Sequence, residues 1–168
     1  NKTVLDIGGN TGYFTFELLS RGAKSVDYYE GNIEHSKFVT LASEVLNRKN
    51  QINVYNEYYC FNKSNKFDIV LLLNVLHHIG DDFGDSKLSR EKALKKISDY
   101  LNHVMTQTDT LIFQLGFNWK GDISLPLFDN GTKKELIEFV SSILDTKYKI
   151  EKIGIANKIN NEIQYEDL

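Results

Sequence analysis

Val4-Leu5-Asp6-Ile7-Gly8-Gly9-Asn10-Thr11-Gly12 is a short apolar run cut off by glycines, and its reading decides the fold. The run fits a buried strand of a parallel sheet. Two glycines end it sharply, and a third, Gly12, stands where a helix can open. Glycine lets backbone turn tightly and come close to a ligand, and the first turn of a following helix offers free N–H groups. The stretch predicts an α/β chain with a doubly wound, mostly parallel sheet. Its ligand corner falls at the carboxyl end of the first strand.

Three loop chemistries compete for that corner. A nucleoside-triphosphate loop needs Gly-Lys-Ser or Gly-Lys-Thr, and Gly12 is followed by Tyr13 and Phe14. A dinucleotide loop needs G-x-G-x-x-G, and counting from Gly8 puts Asn10 and Tyr13 at the second and third glycine positions. The third reading fits: Asp6-x-Gly8-x-Asn10-x-Gly12 resembles the D/E-x-G-x-G-x-G first motif of the class I S-adenosylmethionine-dependent methyltransferases. Asn10 replaces the middle glycine, and asparagine tolerates left-handed backbone better than most residues.

That resemblance implies a Rossmann-like methyltransferase fold with S-adenosyl-L-methionine as cofactor. It implies that Gly8, Gly9, Asn10 and Gly12 pass under the methionine and ribose of the cofactor, with Asp6 holding its amino group. A second anchor follows in Ser25-Val26-Asp27-Tyr28-Tyr29-Glu30, a strand ending in a carboxylate before Gly31. Glu30 follows Gly8 by 22 positions, close to the interval of about 20 for an acid that accepts ribose hydroxyls.

The totals describe one domain. At 168 residues, 41% hydrophobic and 26% charged, the chain can bury a single core. A formal charge of −3 gives no electrostatic case for a nucleic-acid surface or for acidic lipids. Lone Cys60 excludes an internal disulfide and a cysteine zinc cluster, consistent with a reducing cytoplasm. Apolar runs are strand-sized, so no membrane span is expected. Asn1 stands three residues before the first expected buried position, and the chain stops at Leu168. We expect a fragment of a longer chain over residues 1–168, lacking the cover helices ahead of the first strand.

Along the chain, residues 12–21 read as a helix with Phe14 and Leu18 facing the sheet and Gly22 as its stop. Tyr13 and Phe14 read as core and pocket wall. Asn32 caps a second helix, with Phe38, Leu41, Ala42, Val45 and Leu46 as its buried stripe. Ile52–Tyr55 is the third strand. By resemblance, Asn56, Glu57 and Tyr58 then sit at the adenine contacts.

Phe67–Leu73 is a strand covered on both faces, leading into Asn74-Val75-Leu76-His77-His78. It resembles the family's fourth strand, including the Val-Leu-His-His ending of members acting on small molecules and sugars. The strand end then opens beneath the transferable methyl group, with Asn74, His77 and His78 as candidates. An imidazole can take a proton from a hydroxyl near neutral pH. Adjacent side chains diverge, so only one histidine faces the acceptor and the other shapes the loop. A metal set of both histidines with Asp81, Asp82 and Asp85 is set aside, because Asn74 stands where metal-dependent catechol-type relatives carry Asp.

Gly80–Asp85 reads as a mobile lead-in or lid. The following helix is capped by Ser86 or Ser89 and buries Leu94, Ile97, Leu101 and Val104. Asp109–Gly116 is the fifth strand. Trp119 either stacks on a sugar in a loop over the pocket or closes the edge of the core. Thr132-Lys133-Lys134-Glu135 is a capping box, with Leu136, Phe139, Val140 and Ile143 facing inward. Tyr148–Ile155 is expected as a sixth strand, and the family's last antiparallel strand has no counterpart before Leu168.

The expected activity is methyl transfer to an oxygen or nitrogen, the protein supplying alignment and desolvation. Gly22-Ala23-Lys24-Ser25-Val26 and the Val-Leu-His-His ending resemble methyltransferases of surface-polysaccharide assembly, which implies a small-molecule or glycan acceptor. They also resemble a family that modifies transfer RNA, against which the missing basic stripe counts for this domain alone. A cofactor-binding scaffold without turnover is the third alternative.

Overall fold

The computed structural model describes residues 1–145 and 147–167. Five strands, β1 (Thr3–Ile7), β2 (Ser25–Tyr29), β3 (Ile52–Tyr55), β4 (Phe67–Leu73) and β5 (Thr108–Gln114), form a parallel sheet in the order β3-β2-β1-β4-β5. The order reverses between β1 and β4, and open α/β sheets hold their ligands at such a reversal, beyond the strands' carboxyl ends.

Alternation along β1 feeds two cores. Leu5 and Ile7 join Val70 and Leu72 against α3 (Arg90–Met105), through Ala93, Ile97, Leu101 and Val104, with α4 (Lys133–Ile143) packed outside. Val4 joins Val26, Tyr28 and Leu71 on the other face, against Leu19 of α1 (Tyr13–Ser20) and Val39 of α2 (Ile33–Val45). The doubly wound α/β sheet is therefore present. No helix among the described residues is long and apolar enough to cross a membrane.

Both forecast caps on the second and fourth helices form. Asn32 Oδ1 accepts from Glu34 N, and Thr132 and Glu135 close their box reciprocally. Ser89 caps α3.

Three expectations are corrected. On α1 the inward residues are Thr15 and Leu19, with Phe16 and Leu18 half-buried, while Tyr13 and Phe14 are exposed. Thr15 has to meet buried Asp6, and that bond sets the helix's rotation. On α2 the buried residues are Ser36, Val39 and Ser43; Phe38, Leu41, Val45 and Leu46 face outward and Ala42 is half-buried. The cap at Asn32 and the bond from Ser36 Oγ to the Glu30 carbonyl (3.2 Å) set this helix's phase, against the apolar periodicity. Lastly, no strand forms over residues 148–153. Instead β6 (Gly154–Ile159) and β7 (Glu162–Asp167) make an antiparallel hairpin apart from the main sheet. Asn160 and Asn161 both have positive φ (51° and 64°) and form the two-residue turn that selects this register.

Candidate active site

The loop after β1 is built from left-handed residues. Gly8 has φ 70°, and a Cβ there would lie 2.6 Å from Val75 Cγ2. Gly12 has φ 77°, and a Cβ there would lie 2.8 Å from Val39 Cγ2, so α2 can close on the loop only over glycine. Asn10 takes φ 49°, the left-handed backbone expected of it. Its carbonyl accepts from the Tyr28 hydroxyl, and its N–H donates to Glu30 Oε2 at 2.9 Å. Glu30 Oε1 accepts from Asn32 N at 2.8 Å. Two backbone amides thus aim the carboxylate, leaving one further acceptor position on each oxygen.

Glu30 borders a cavity of about 300 Å³ over the sheet's reversal point. The β1 end contributes Gly8 and Asn10, and the β2 end contributes Gly31, Asn32 and His35. The segment after β3 contributes Glu57, Tyr58, Tyr59 and Phe61; that after β4 contributes Asn74, Val75, His78, Asp82 and Phe83. Tyr58 packs flat over Gly31, where a Cβ would meet its ring at 2.4 Å. Its ring faces Phe83 at 6.2 Å, so two connections meet in one aromatic wall.

The remaining candidates stand outside the lining. Asp6 is buried beneath the loop and accepts from Thr15 Oγ1 at 2.6 Å. Burial pushes its carboxyl up to about 6, opposed by the Thr15 hydrogen bond. Gly9 lies between Asp6 and the Tyr28 ring. Asn56 Nδ2 donates to the Glu30 carbonyl (3.0 Å) and to Ser36 Oγ (3.2 Å), tying the β3 end to the β2 end. Trp119 is buried and donates from Nε1 to the Ile79 carbonyl at 2.7 Å, closing the core's edge.

The paired histidines diverge as adjacency requires. His77 is buried, its Nδ1 accepting from Gly116 N at 3.3 Å. Burial, then the neighbouring His78, lowers its pKa to about 4, so it stays neutral in the fold. His78 faces the cavity, with Nδ1 3.5 Å from Asp81 Oδ2 and 3.4 Å from Asp82 Oδ2. Ligand atoms of these three residues lie within 4.8 Å of one another, a grouping a hard cation could bridge, though exposed carboxylates often cluster without one.

His35, Tyr59 and Phe61 line the cavity beyond the expected residues, while Phe83 belongs to the segment expected as lead-in or lid. The signal for His35 was present: it stands in the first turn after the Asn32 cap, beside the ribose acid. Tyr59 and Phe61 carry no spacing that marks them.

The parallel sheet, its strand order and its glycine corner are the fold of the class I S-adenosylmethionine-dependent methyltransferases. Magnesium protoporphyrin IX methyltransferase (ChlM) from Synechocystis PCC 6803, solved with bound S-adenosylmethionine, superimposes with TM-score 0.59 at 18% identity. The match covers 96% of this chain and 66% of that one. The bifunctional kinase-methyltransferase WbdD gives TM-score 0.55 at 19% identity over 77% of this chain and 28% of its own. No family model matches the chain. In sequence it is similar to the transfer-RNA U34 carboxymethyltransferases of Helicobacter acinonychis (32% identical over 164 residues) and Helicobacter pylori strain G27 (28% identical over 164 residues). Each match covers 94% of this chain, which spans only 57% of those curated relatives.

Proposed function

We propose that this chain is an S-adenosylmethionine-dependent methyltransferase domain acting on an oxygen or nitrogen of a small-molecule or glycan acceptor. The observation that carries the reading is Glu30, aimed by two backbone amides into a cavity beside the Gly8–Asn10 bend. A carboxylate so held accepts both hydroxyl protons of a ribose. The residues suit this cofactor: the cavity pairs a diol acceptor with apolar and aromatic walls able to cover a purine. The bound cofactor supplies an activated methyl group. The chain's own contribution is to hold it and to exclude water.

His78 is the acceptor-side residue of this reading. Asp81 and Asp82 stand beside its Nδ1, which favours the tautomer protonated there and leaves Nε2 to take the proton from an acceptor hydroxyl. Acidic lining from Glu30, Glu57 and Asp82 suits a cationic sulfonium and a neutral acceptor. The carboxymethyl group in the relatives' name carries a carboxylate, which this wall would repel, so we read the transferred group as methyl. A transfer-RNA acceptor is the second reading, favoured by the similarity at 28–32% identity; it would need cationic surface supplied from beyond this cavity.

Calorimetric titration with S-adenosylhomocysteine tests the carrying observation. Glu30→Ala is expected to lose about tenfold or more in affinity, and equal affinity for variant and wild type overturns the ribose assignment. With a hydroxyl acceptor, His78→Ala should lower kcat by about a hundredfold; an unchanged kcat removes the base.

A further inference from the structure

Tyr28 is fully buried in β2 and does not line the cavity. Its hydroxyl nevertheless reaches the loop that does. Residues two apart on extended chain share a face, and Tyr28 and Glu30 both arrive at one residue of that loop. The Tyr28 hydroxyl donates to the Asn10 carbonyl, while Glu30 Oε2 accepts from the Asn10 N–H at 2.9 Å. Asn10 is thus gripped through its backbone from both ends.

Gly9 makes the phenol's contact possible. It is not one of the left-handed residues of the loop, so torsion does not call for glycine there. Clearance does: a Cβ at Gly9 would lie 2.5 Å from Tyr28 Cε2. A buried phenol also needs a partner for its hydroxyl. Burial, then the charges of Glu30 and Asp6, push its pKa up, so it stays a donor at neutral pH. Asn10 sits at φ 49°, a conformation that a residue bearing a side chain adopts at some cost. The phenol's bond offsets that cost, and the same torsion directs the Asn10 N–H to the carboxylate.

We infer that Tyr28 is a positioning residue for the cofactor: through the Asn10 backbone it fixes the direction in which Glu30 meets the ribose. The inference rests on the ribose reading of Glu30. Phenylalanine at this place keeps the buried ring and removes only the oxygen. The Asn10 carbonyl then loses its partner, the bend relaxes, and Glu30 keeps a single aiming amide, that of Asn32. The effect on binding passes through Glu30, so it disappears when Glu30 is absent.

A double-mutant cycle tests this. S-adenosylhomocysteine is titrated calorimetrically into wild type, Tyr28→Phe, Glu30→Ala and the double variant. Tyr28→Phe should weaken binding by about fivefold in the wild-type background and leave it unchanged in the Glu30→Ala background. Nitrogen-edited NMR of the unliganded proteins supplies a second readout. The Asn10 amide resonance should move in Tyr28→Phe toward its position in Glu30→Ala, with the dispersion of a folded protein retained. Unchanged affinity in Tyr28→Phe, or the same fold-loss in both backgrounds, overturns the inference; with Glu30→Ala still weakened, the ribose reading stands. An Asn10 amide unmoved by Tyr28→Phe likewise overturns it. Glu30→Ala binding as tightly as wild type overturns the ribose reading and this inference with it.

Discussion

Asp6 shows what one buried carboxylate does to the molecule. Its folded pKa is raised to about 6 from 3.8, chiefly by burial. The folded state therefore holds the Asp6 proton more tightly than the unfolded chain does. Its contribution to stability is fully present below the unfolded pKa and is lost as pH rises through about 6. Asp6→Asn removes the ionisation and keeps an acceptor for Thr15. Measured by denaturant unfolding, the stability difference between variant and wild type should move in the variant's favour by about 2 kcal/mol from about pH 4.5 to about pH 8. A pH-independent difference would mean that Asp6 ionises in the fold as it does in water. Asp6 and Glu30 could both be picked out as acids at strand ends, but their unlike environments could not. Burial follows from Thr15 and Tyr28 closing over Asp6, contacts between residues far apart in the chain.

At the scale of the element, α2 separates what periodicity reports from what packing decides. Its start was legible, because Asn32 is a good cap wherever it stands. Its buried face was not, since the larger apolar side chains describe one stripe while Ser36, Val39 and Ser43 meet the sheet. The helix lies close over Gly12, where Val39 Cγ2 would be only 2.8 Å from an added Cβ, and the Asn32 cap and the Ser36 bond hold this face inward. Two valines six residues apart turn this into a measurement. Val39→Ala, fully buried, should cost about 2 kcal/mol, whereas Val45→Ala, 80% exposed, should stay within about 0.5 kcal/mol. Equal costs in chemical unfolding would mean that the helix is rotated from the orientation described. The hairpin of β6 and β7 teaches a similar lesson. Residues 148–151 alternate as a strand should, but Glu151 and Lys152 break the pattern, and Asn160-Asn161 is the turn that pairs two segments, with the strands forming around it.

Taken whole, the molecule is two cores divided by one sheet, and its cavity lies where the strand order turns back on itself. Five strands and the glycine corner were readable because buried parallel strands are nearly continuous apolar runs and tight bends need particular residues. Of the cavity's aromatic wall, Tyr58 was readable by resemblance and Phe83 as part of the expected lid, whereas Tyr59 and Phe61 come from a connection whose path only the assembled sheet defines. Asn10 joins the two levels. Its left-handed torsion turns one amide to Glu30 and its carbonyl to Tyr28, and those bonds involve main-chain atoms of the tenth residue. The bend thus asks for an angle that glycine or asparagine can each meet, and it is closed to β-branched side chains. A search pattern that insists on glycine at that place would pass over a backbone turned to the same purpose.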